Sequence, residues 1–303
     1  MKALVKEKPT IGLTLMDVDI PSYQDNEILI KVKRTAICGT DLHIWNWDAW
    51  AQKTIKTPMT IGHEFMGEVA EVGKNVKDFK VGQRVSVESH IAGTKSRNAR
   101  AGKLHLDPDT INLGVDRDGA FAEYVVVPEK NVVPLPDSVE DNLASILDPF
   151  GNAVHSTLSF DLVGEDVLIT GAGPIGIMSA AIAEHVGAKK VLLTDINQKR
   201  LELAAKVCDV ETLNVSTMPI KQKMTAMGLK EGFDVGLEMS GSEQALRDMV
   251  DCMIMGGDIA LLGLPSEEIK VDLSQIIFKA LNIKAIYGLS LIHISEPTRL
   301  RSI

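Results

Sequence analysis

Residues 166–176 read Asp166-Val-Leu-Ile-Thr170-Gly171-Ala172-Gly173-Pro174-Ile175-Gly176. A short apolar run ends in a glycine-rich turn, and a small-residue amphipathic stretch from about Ile175 to His185 reads as a helix. Gly187, a second apolar run from Val191 to Thr194, and Asp195, 19 positions after Gly176, follow. Strand, turn, helix, strand and acid in that order form the context a dinucleotide fingerprint requires. The first glycine makes the turn, the second lets backbone approach a pyrophosphate, and the third lets helix close on strand. Amides at the helix N-terminus face the phosphates. Asp195 can accept a hydrogen bond from a ribose 2′-hydroxyl and would repel a 2′-phosphate, so NAD is expected over NADP.

Outward from this stretch the chain has two textures. From residue 166 onward, strand-like runs at Val167–Thr170, Val191–Thr194, Val210–Asn214, Val235–Met239 and Ile259–Leu262 alternate with helical segments, which predicts parallel βαβ units. Upstream, short β-branched runs at Glu27–Val32, Gly67–Val72, Gln83–Val87 and Phe121–Val127 are punctuated by Gly, Pro, Asn and Asp and predict a β-rich, partly closed domain. Pro136 to Ser138 reads as a turn and Glu140–Leu147 as helical. A length of 303 residues suits two domains better than one core. A net charge of −9 with no basic run argues against nucleic-acid or anionic-membrane partners. No apolar run is long enough to span a bilayer, no secretory signal opens the chain, and three cysteines are too few for a disulfide framework. A cytoplasmic location is the expectation.

The β-rich half carries Cys38-Gly39-Thr40-Asp41-Leu42-His43 and then Gly62-His63-Glu64-Phe65-Met66-Gly67. A thiolate, an imidazole and a carboxylate suit Zn²⁺, and three protein ligands leave the open fourth position of a catalytic site. Cys38, His63 and Glu64 are therefore the expected ligands, with neighbouring glycines letting the backbone bend sharply.

With zinc ligands first and a nucleotide fold second, the chain resembles the zinc-dependent medium-chain alcohol dehydrogenases, and within them the bacterial threonine-oxidising members. The likeness rests on the runs 34–41, 43–48, 148–155 and 232–241 and extends from Met1 to about Gly288. It implies an α/β chain with a GroES-like catalytic domain at 1–147 and a Rossmann NAD-binding domain at 148–288, the latter expected to be incomplete. It further implies oxidation of the secondary hydroxyl of L-threonine, one catalytic zinc per chain, and a homotetramer. Thr40 and His43 take the family's proton-relay role, and Asp148 that of an orienting or transient ligand near the metal. Arg200, Leu262, Gly263, Leu264, Ile286 and Tyr287 join Gly171, Gly173, Ile175, Gly176 and Asp195 as implied cofactor contacts.

Duller roles stand beside these. Thr40 could cap a helix beginning at Asp41, His43 could be a packed surface histidine, Asp148 could only shape a turn before Pro149, and Arg200 could be a solvated helix charge. Cys208 and Cys252 read as buried core thiols.

The chain departs from the family twice. Where the family holds a structural zinc on four cysteines, this chain has Gly93, Ser96, Ala99 and Asp107, so no structural zinc is expected. After Gly288 the sequence Leu289-Ser-Leu-Ile-His-Ile-Ser-Glu-Pro-Thr-Arg-Leu-Arg-Ser-Ile303 is similar to a translated sequencing-adapter frame, and residues 289–303 are expected to be a non-native tail. Two other functions follow from these departures: a polyol or other secondary-alcohol dehydrogenase of the same superfamily, or an inactive fragment.

Overall fold

The computed structural model describes residues 1–265 and 267–288, which fall into two compact units, 1–151 and 152–287. Residues 289–303, and with them the expected non-native tail, lie outside the described residues.

The first unit opens with β1 (Lys2–Lys6), β2 (Thr14–Asp17) and β3 (Glu27–Thr35), then helices α1 (Gly39–Asn46) and α2 (Ala49–Thr54). β4 (Met59–Thr60), β5 (Phe65–Val72), β6 (Arg84–Val87) and β7 (His90–Ile91) precede the short helix α3 (Arg97–Arg100). β8 (Ile111–Asn112), β9 (Tyr124–Pro128), β10 (Val132–Pro134) and α4 (Asp141–Ala144) follow. Five strands form an antiparallel sheet in the order β10-β6-β5-β3-β9, and β2-β1-β4 form a second sheet. The β-branched alternation seen in sequence buries Ile28, Ile30, Val69, Val85, Val125 and Val127 in one core. A smaller cluster, Ile44, Ala51, Ile55, Ile61 and Val115, seats the two helices that flank the zinc motif.

The expected helix over 140–147 is instead α4 followed by α5 (Leu147–Thr157). Pro149 is tolerated only in the first turn of a helix, so the chain breaks after α4 and starts again two residues before the proline. Asp148 thus lies in a helical first turn rather than in a turn ahead of Pro149.

In the second unit β11 (Asp166–Thr170), α6 (Pro174–His185), β12 (Lys190–Asp195), α7 (Gln198–Val207) and β13 (Glu211–Asn214) make the first βαβαβ run. α8 (Ile220–Ala226), β14 (Phe233–Glu238), α9 (Glu243–Cys252), β15 (Met253–Leu261), α10 (Leu273–Phe278) and β16 (Asn282–Ala285) make the second. The sheet is parallel with order β13-β12-β11-β14-β15-β16, the 3-2-1-4-5-6 order of a doubly wound dinucleotide fold. The described residues supply six strands of this sheet within 166–285. Among the described residues β16 pairs on one side only, with β15. β15 starts six residues earlier than the apolar pattern at Ile259 suggests, because a bulge between Phe233 and Val235 lets it pair across Gly256 and Gly257. No helix among the described residues is long and apolar enough to cross a membrane.

β11 shows why a central strand reads as an unbroken apolar run. Every residue of it is buried, and successive side chains serve opposite faces. Val167 and Ile169 pack with Ile177 and Ala180 of α6 and Leu201 of α7, whereas Leu168 packs with Leu246 and Met249 of α9. Gly176 closes this arrangement, since a Cβ there would stand 1.8 Å from the Gly171 carbonyl oxygen. We expect Gly176→Ala to push α6 off the strand and destabilise the chain by about 1–3 kcal/mol. The check is a lower urea midpoint at unchanged slope.

Candidate functional site

Cys38 is the N-cap of α1, and His63 and Glu64 occupy the loop between β4 and β5. The loop is pinned by backbone bonds from Gly119 to Thr60, Ala120 to Gly62 and Phe121 to Ile61. Gly62 has φ +94°, and a Cβ there would lie 2.3 Å from the Phe121 ring, so glycine alone permits this path. The result is that Cys38 Sγ, a His63 ring nitrogen and a Glu64 carboxylate oxygen all lie within 4.8 Å of one another. Among the described residues this is the one group of three or more His, Cys, Asp or Glu side chains that can hold a metal.

The electrostatics of the group call for a cation. Burial, then the neighbouring Glu64 carboxylate, pushes the Cys38 thiol up to about 12, although Thr40 donates to the sulfur from both its amide and its hydroxyl. Burial, then Asp148, pushes Glu64 up to about 7, against the opposing pull of His63 and of the Cys38 thiol. His63 Nδ1 is buried with no hydrogen-bond partner among the described residues. Potential anions that discourage one another's ionisation are what a divalent ion reverses, and S, N and O donors match zinc. The residues present fit the metal.

Asp41 escaped the sequence reading as a site residue. It is 3% exposed, its Oδ2 accepts from the Cys38 amide at 2.8 Å, and the nearby Gly62 amide favours its charged form. Burial holds its pKa above the ordinary value, with His63 opposing. One buried carboxylate thus joins both ligand-bearing segments. The available signal was its spacing, three residues after the N-cap, where an acid reaches back to the cap amide.

Thr40 does not cap a helix beginning at Asp41: α1 begins at Gly39, and Thr40 sits in its first turn against the Cys38 sulfur. His43 lies further along α1, its Nδ1 paired with Asp48 Oδ2 and its ring edge-on to Trp50 at 6.0 Å. Asp48 Oδ1 meanwhile accepts from the amides of Trp50 and Ala51 at the start of α2. Asp148 is 8% exposed and accepts from Ser89 Oγ at 3.0 Å. Next to Ser89, Glu88 Oε1 receives His90 Nδ1 at 2.8 Å. At the lobe expected to be metal-free, Ser96 Oγ accepts from the Ala99 amide and Asp107 Oδ1 from the Asp109 amide, while Asn98 bonds the Leu106 carbonyl. Local hydrogen bonds span those residues.

In the second unit a cavity of about 340 Å³ opens at the ends of β11, β12 and β14, lined by Gly171, Gly173, Asp195, Arg200, Ser240 and Gln244 among others. This is the switch point between strands one and four, where doubly wound sheets bind ligands. Asp195 Oδ2 accepts from the Ala172 amide and Oδ1 from the Asn197 amide, both at 2.7 Å, with Arg200 3.8 Å away. Glu238, unremarked in the sequence, accepts from Ser240 and Gly241, and its carbonyl takes the amides of Leu262 and Gly263. Leu262, Gly263, Leu264, Ile175, Gly176, Ile286 and Tyr287 do not line this cavity. Ile286 is instead buried in the core with Leu162 and Leu193, and Tyr287 is exposed. A larger cavity of about 680 Å³ near Met1, Met59 and Arg117 includes none of the sequence-derived site residues.

Comparison with known proteins agrees with this geometry. Residues 24–137 match the alcohol dehydrogenase GroES-like domain, and residues 174–300 match the zinc-binding dehydrogenase family. The chain is 57% identical over 288 residues to an L-threonine 3-dehydrogenase of Rhizobium johnstonii, covering 95% of this chain and 84% of the relative. An enzyme of the same name from Chromobacterium violaceum is 57% identical over the same shares. Among solved structures, a Sinorhizobium meliloti protein bound to NADP superposes with TM-score 0.89 at 27% identity, covering 97% of this chain and 86% of that one. The 2R,3R-butanediol dehydrogenase of Bacillus subtilis gives TM-score 0.84 at 26% identity, covering 96% and 85%.

The raised Glu64 pKa has a consequence for the metal-stripped protein. Glu64 keeps its proton to about pH 7 when folded, against an ordinary value of 4.5. The folded state therefore binds more protons than the unfolded one across that window, and this contribution to stability is lost as pH rises through it. After chelation, Tm should fall from pH 5 to pH 7 more steeply in the parent than in Glu64→Gln. Identical slopes would contradict the assignment.

Proposed function

Since the chain belongs to the zinc-binding dehydrogenases with an alcohol dehydrogenase GroES-like N-terminal domain, we propose that it oxidises the secondary hydroxyl of L-threonine to 2-amino-3-oxobutanoate with NAD. The observation that carries the chemistry is the convergence of Cys38, His63 and Glu64 within 4.8 Å in a buried, cation-seeking pocket. The substrate assignment is supported by the threonine-dehydrogenase relatives at 57% identity over 95% of the chain.

Cys38, His63 and Glu64 would hold the zinc, which when bound supplies Lewis-acid polarisation of the substrate hydroxyl. Thr40, whose hydroxyl already lies on the Cys38 sulfur, takes the hydroxyl proton toward His43. Asp48 occupies His43 Nδ1 and so leaves Nε2 as the ring atom that exchanges the proton. Asp148, fixed by Ser89, adds negative charge beside Glu64 and keeps the pocket selective for a cation. In the second unit Gly171 and Gly173 would leave room for a pyrophosphate at the start of α6, and Asp195, with Arg200 beside it, would hold the adenosine ribose. The nicotinamide supplies hydride acceptance by its own chemistry.

A secondary-alcohol or polyol dehydrogenase is the second reading, favoured by the likeness to butanediol dehydrogenase and by Gly93, Ser96, Ala99 and Asp107 at the lobe. A homotetramer and a cytoplasmic location rest on the family resemblance, and sedimentation of the purified protein tests the first.

Initial rates of NADH formation from L-threonine, 2,3-butanediol and sorbitol, with zinc measured on the same sample, decide between the substrates. L-threonine is expected to give the highest kcat/KM and about one zinc per chain. Cys38→Ser should lose both the metal and the activity, because the thiolate best anchors this borderline-soft ion. NAD should be preferred over NADP at least about tenfold, which needs only ~1.4 kcal/mol of repulsion. Asp195→Ala should narrow that ratio; equal kcat/KM values in the parent would refute the role given to Asp195.

A further inference from the structure

Lys6 ends β1 with no solvent exposure, an unusual position for an ammonium group. It has no carboxylate partner among the ion pairs of the described residues. Its Nζ donates to three backbone carbonyls, those of Thr10, Gly12 (3.1 Å) and Trp45 (3.3 Å), and lies 5.0 Å from the centroid of the Trp47 ring. Trp45 supplies one of the carbonyls that the end of α1 leaves free, where a cation also meets the negative end of the helix.

The residue under the ammonium has an unusual backbone. Trp47 is the C-cap of α1 at φ +55°, a left-handed conformation rare outside glycine. That turn redirects the chain so that Asp48, the next residue, comes back to His43 Nδ1 while capping α2. Gln52 holds the Trp47 carbonyl at 2.9 Å, and the Trp47 amide reaches Ile44 at 3.3 Å. The ring packs against the cluster of Ile44, Ala51, Ile55 and Ile61 and carries the Lys6 ammonium 5.0 Å from its centroid. The same strand pairs Lys6 with Met59 of β4, the strand that runs into His63 and Glu64.

We propose that Lys6 is a positioning residue for proton transfer: its buried ammonium locks the Trp45–Trp47 turn so that Asp48 holds His43 in a single tautomer. The inference rests on the reading of His43 as the relay. Lys6 touches neither substrate nor cofactor; it acts through Trp47 and Asp48. Methionine at position 6 keeps the apolar stem and removes the donors: the carbonyls of Thr10 and Gly12 lose their ammonium partner, that of Trp45 keeps only the Gly12 amide at 2.9 Å, and the ring loses its cation.

The test uses the zinc-loaded enzyme labelled with ¹⁵N-histidine, with the His43 ring signals assigned by their loss in His43→Ala. Lys6→Met should shift those signals from a single tautomer toward a mixture, as Asp48→Asn should too, and lower kcat about tenfold at unchanged zinc content and NAD KM. Lys6→Arg should restore most of both. In the His43→Ala background Lys6→Met should cost no further kcat. Should Lys6→Met fail to fold, Trp47→Leu removes the ring platform, leaves the ammonium bonded and carries the same readouts. A fall in kcat with the His43 signals unmoved, or effects that multiply in the double variant, would overturn the proposal. His43 signals that move while kcat holds would support the positioning of His43 by Lys6 and instead refute the relay role of His43.

Discussion

One buried carboxylate makes the metal pocket possible. Asp41 accepts from the amide of Cys38 at the helix start, and the Gly62 amide of the ligand loop favours its charge, so both ligand-bearing segments meet at this carboxylate. Burying a charge is costly, and here His63 and the two amides reduce that cost without cancelling it, so the Asp41 pKa stays above its ordinary value. Cys38 and Glu64 then face each other in a space where neither ionises readily. The pocket is held ready by hydrogen bonds but is electrostatically incomplete, which is the condition under which a divalent ion binds and orders its ligands.

Around that anchor the same economy recurs. Backbone amides and carbonyls at helix ends are met by side chains from elsewhere in the fold. Asp48 caps α2 and turns His43; Lys279 donates to the carbonyls of Val250, Asp251 and Met253 at the end of α9; Glu238 gathers the turn after β14 and the loop after β15. Each bond is modest by itself, yet leaving such a buried group unmet costs more than the bond is worth. The loops that carry chemistry are therefore held by specific hydrogen bonds although they are not regular secondary structure.

Much of the fold was legible because period and punctuation are local. Apolar runs of the right length around Val167, Val191 and Val235 became strands, and the glycines at 171 and 176 fell where the turn and the close approach of α6 require them. Boundaries failed where a distant partner set them. β15 extends back through Gly256 and Gly257 because its extra residues bulge out against β14, and the stretch at 140–147 breaks because Pro149 admits a helix only from its first turn. The side chain of Ile286, implied as a cofactor contact by resemblance, is buried in the core, and its amide bonds the Leu261 carbonyl, a placement set by the pairing of neighbouring strands.

Sequence by itself determined the donor chemistry and the nucleotide turn. Cys38, His63, Glu64 and Asp195 carry their meaning in their atom types and in the glycines beside them. Only the tertiary structure decided which uncharged or ordinary residues serve those atoms. Asp41 joins segments more than twenty positions apart, Ser89 bonds Asp148 across 59 positions, and Lys6 reaches Trp45 across 39. The physical reason is that a hydrogen bond requires convergence to about 3 Å, which strand register and helix packing set and which no local pattern records.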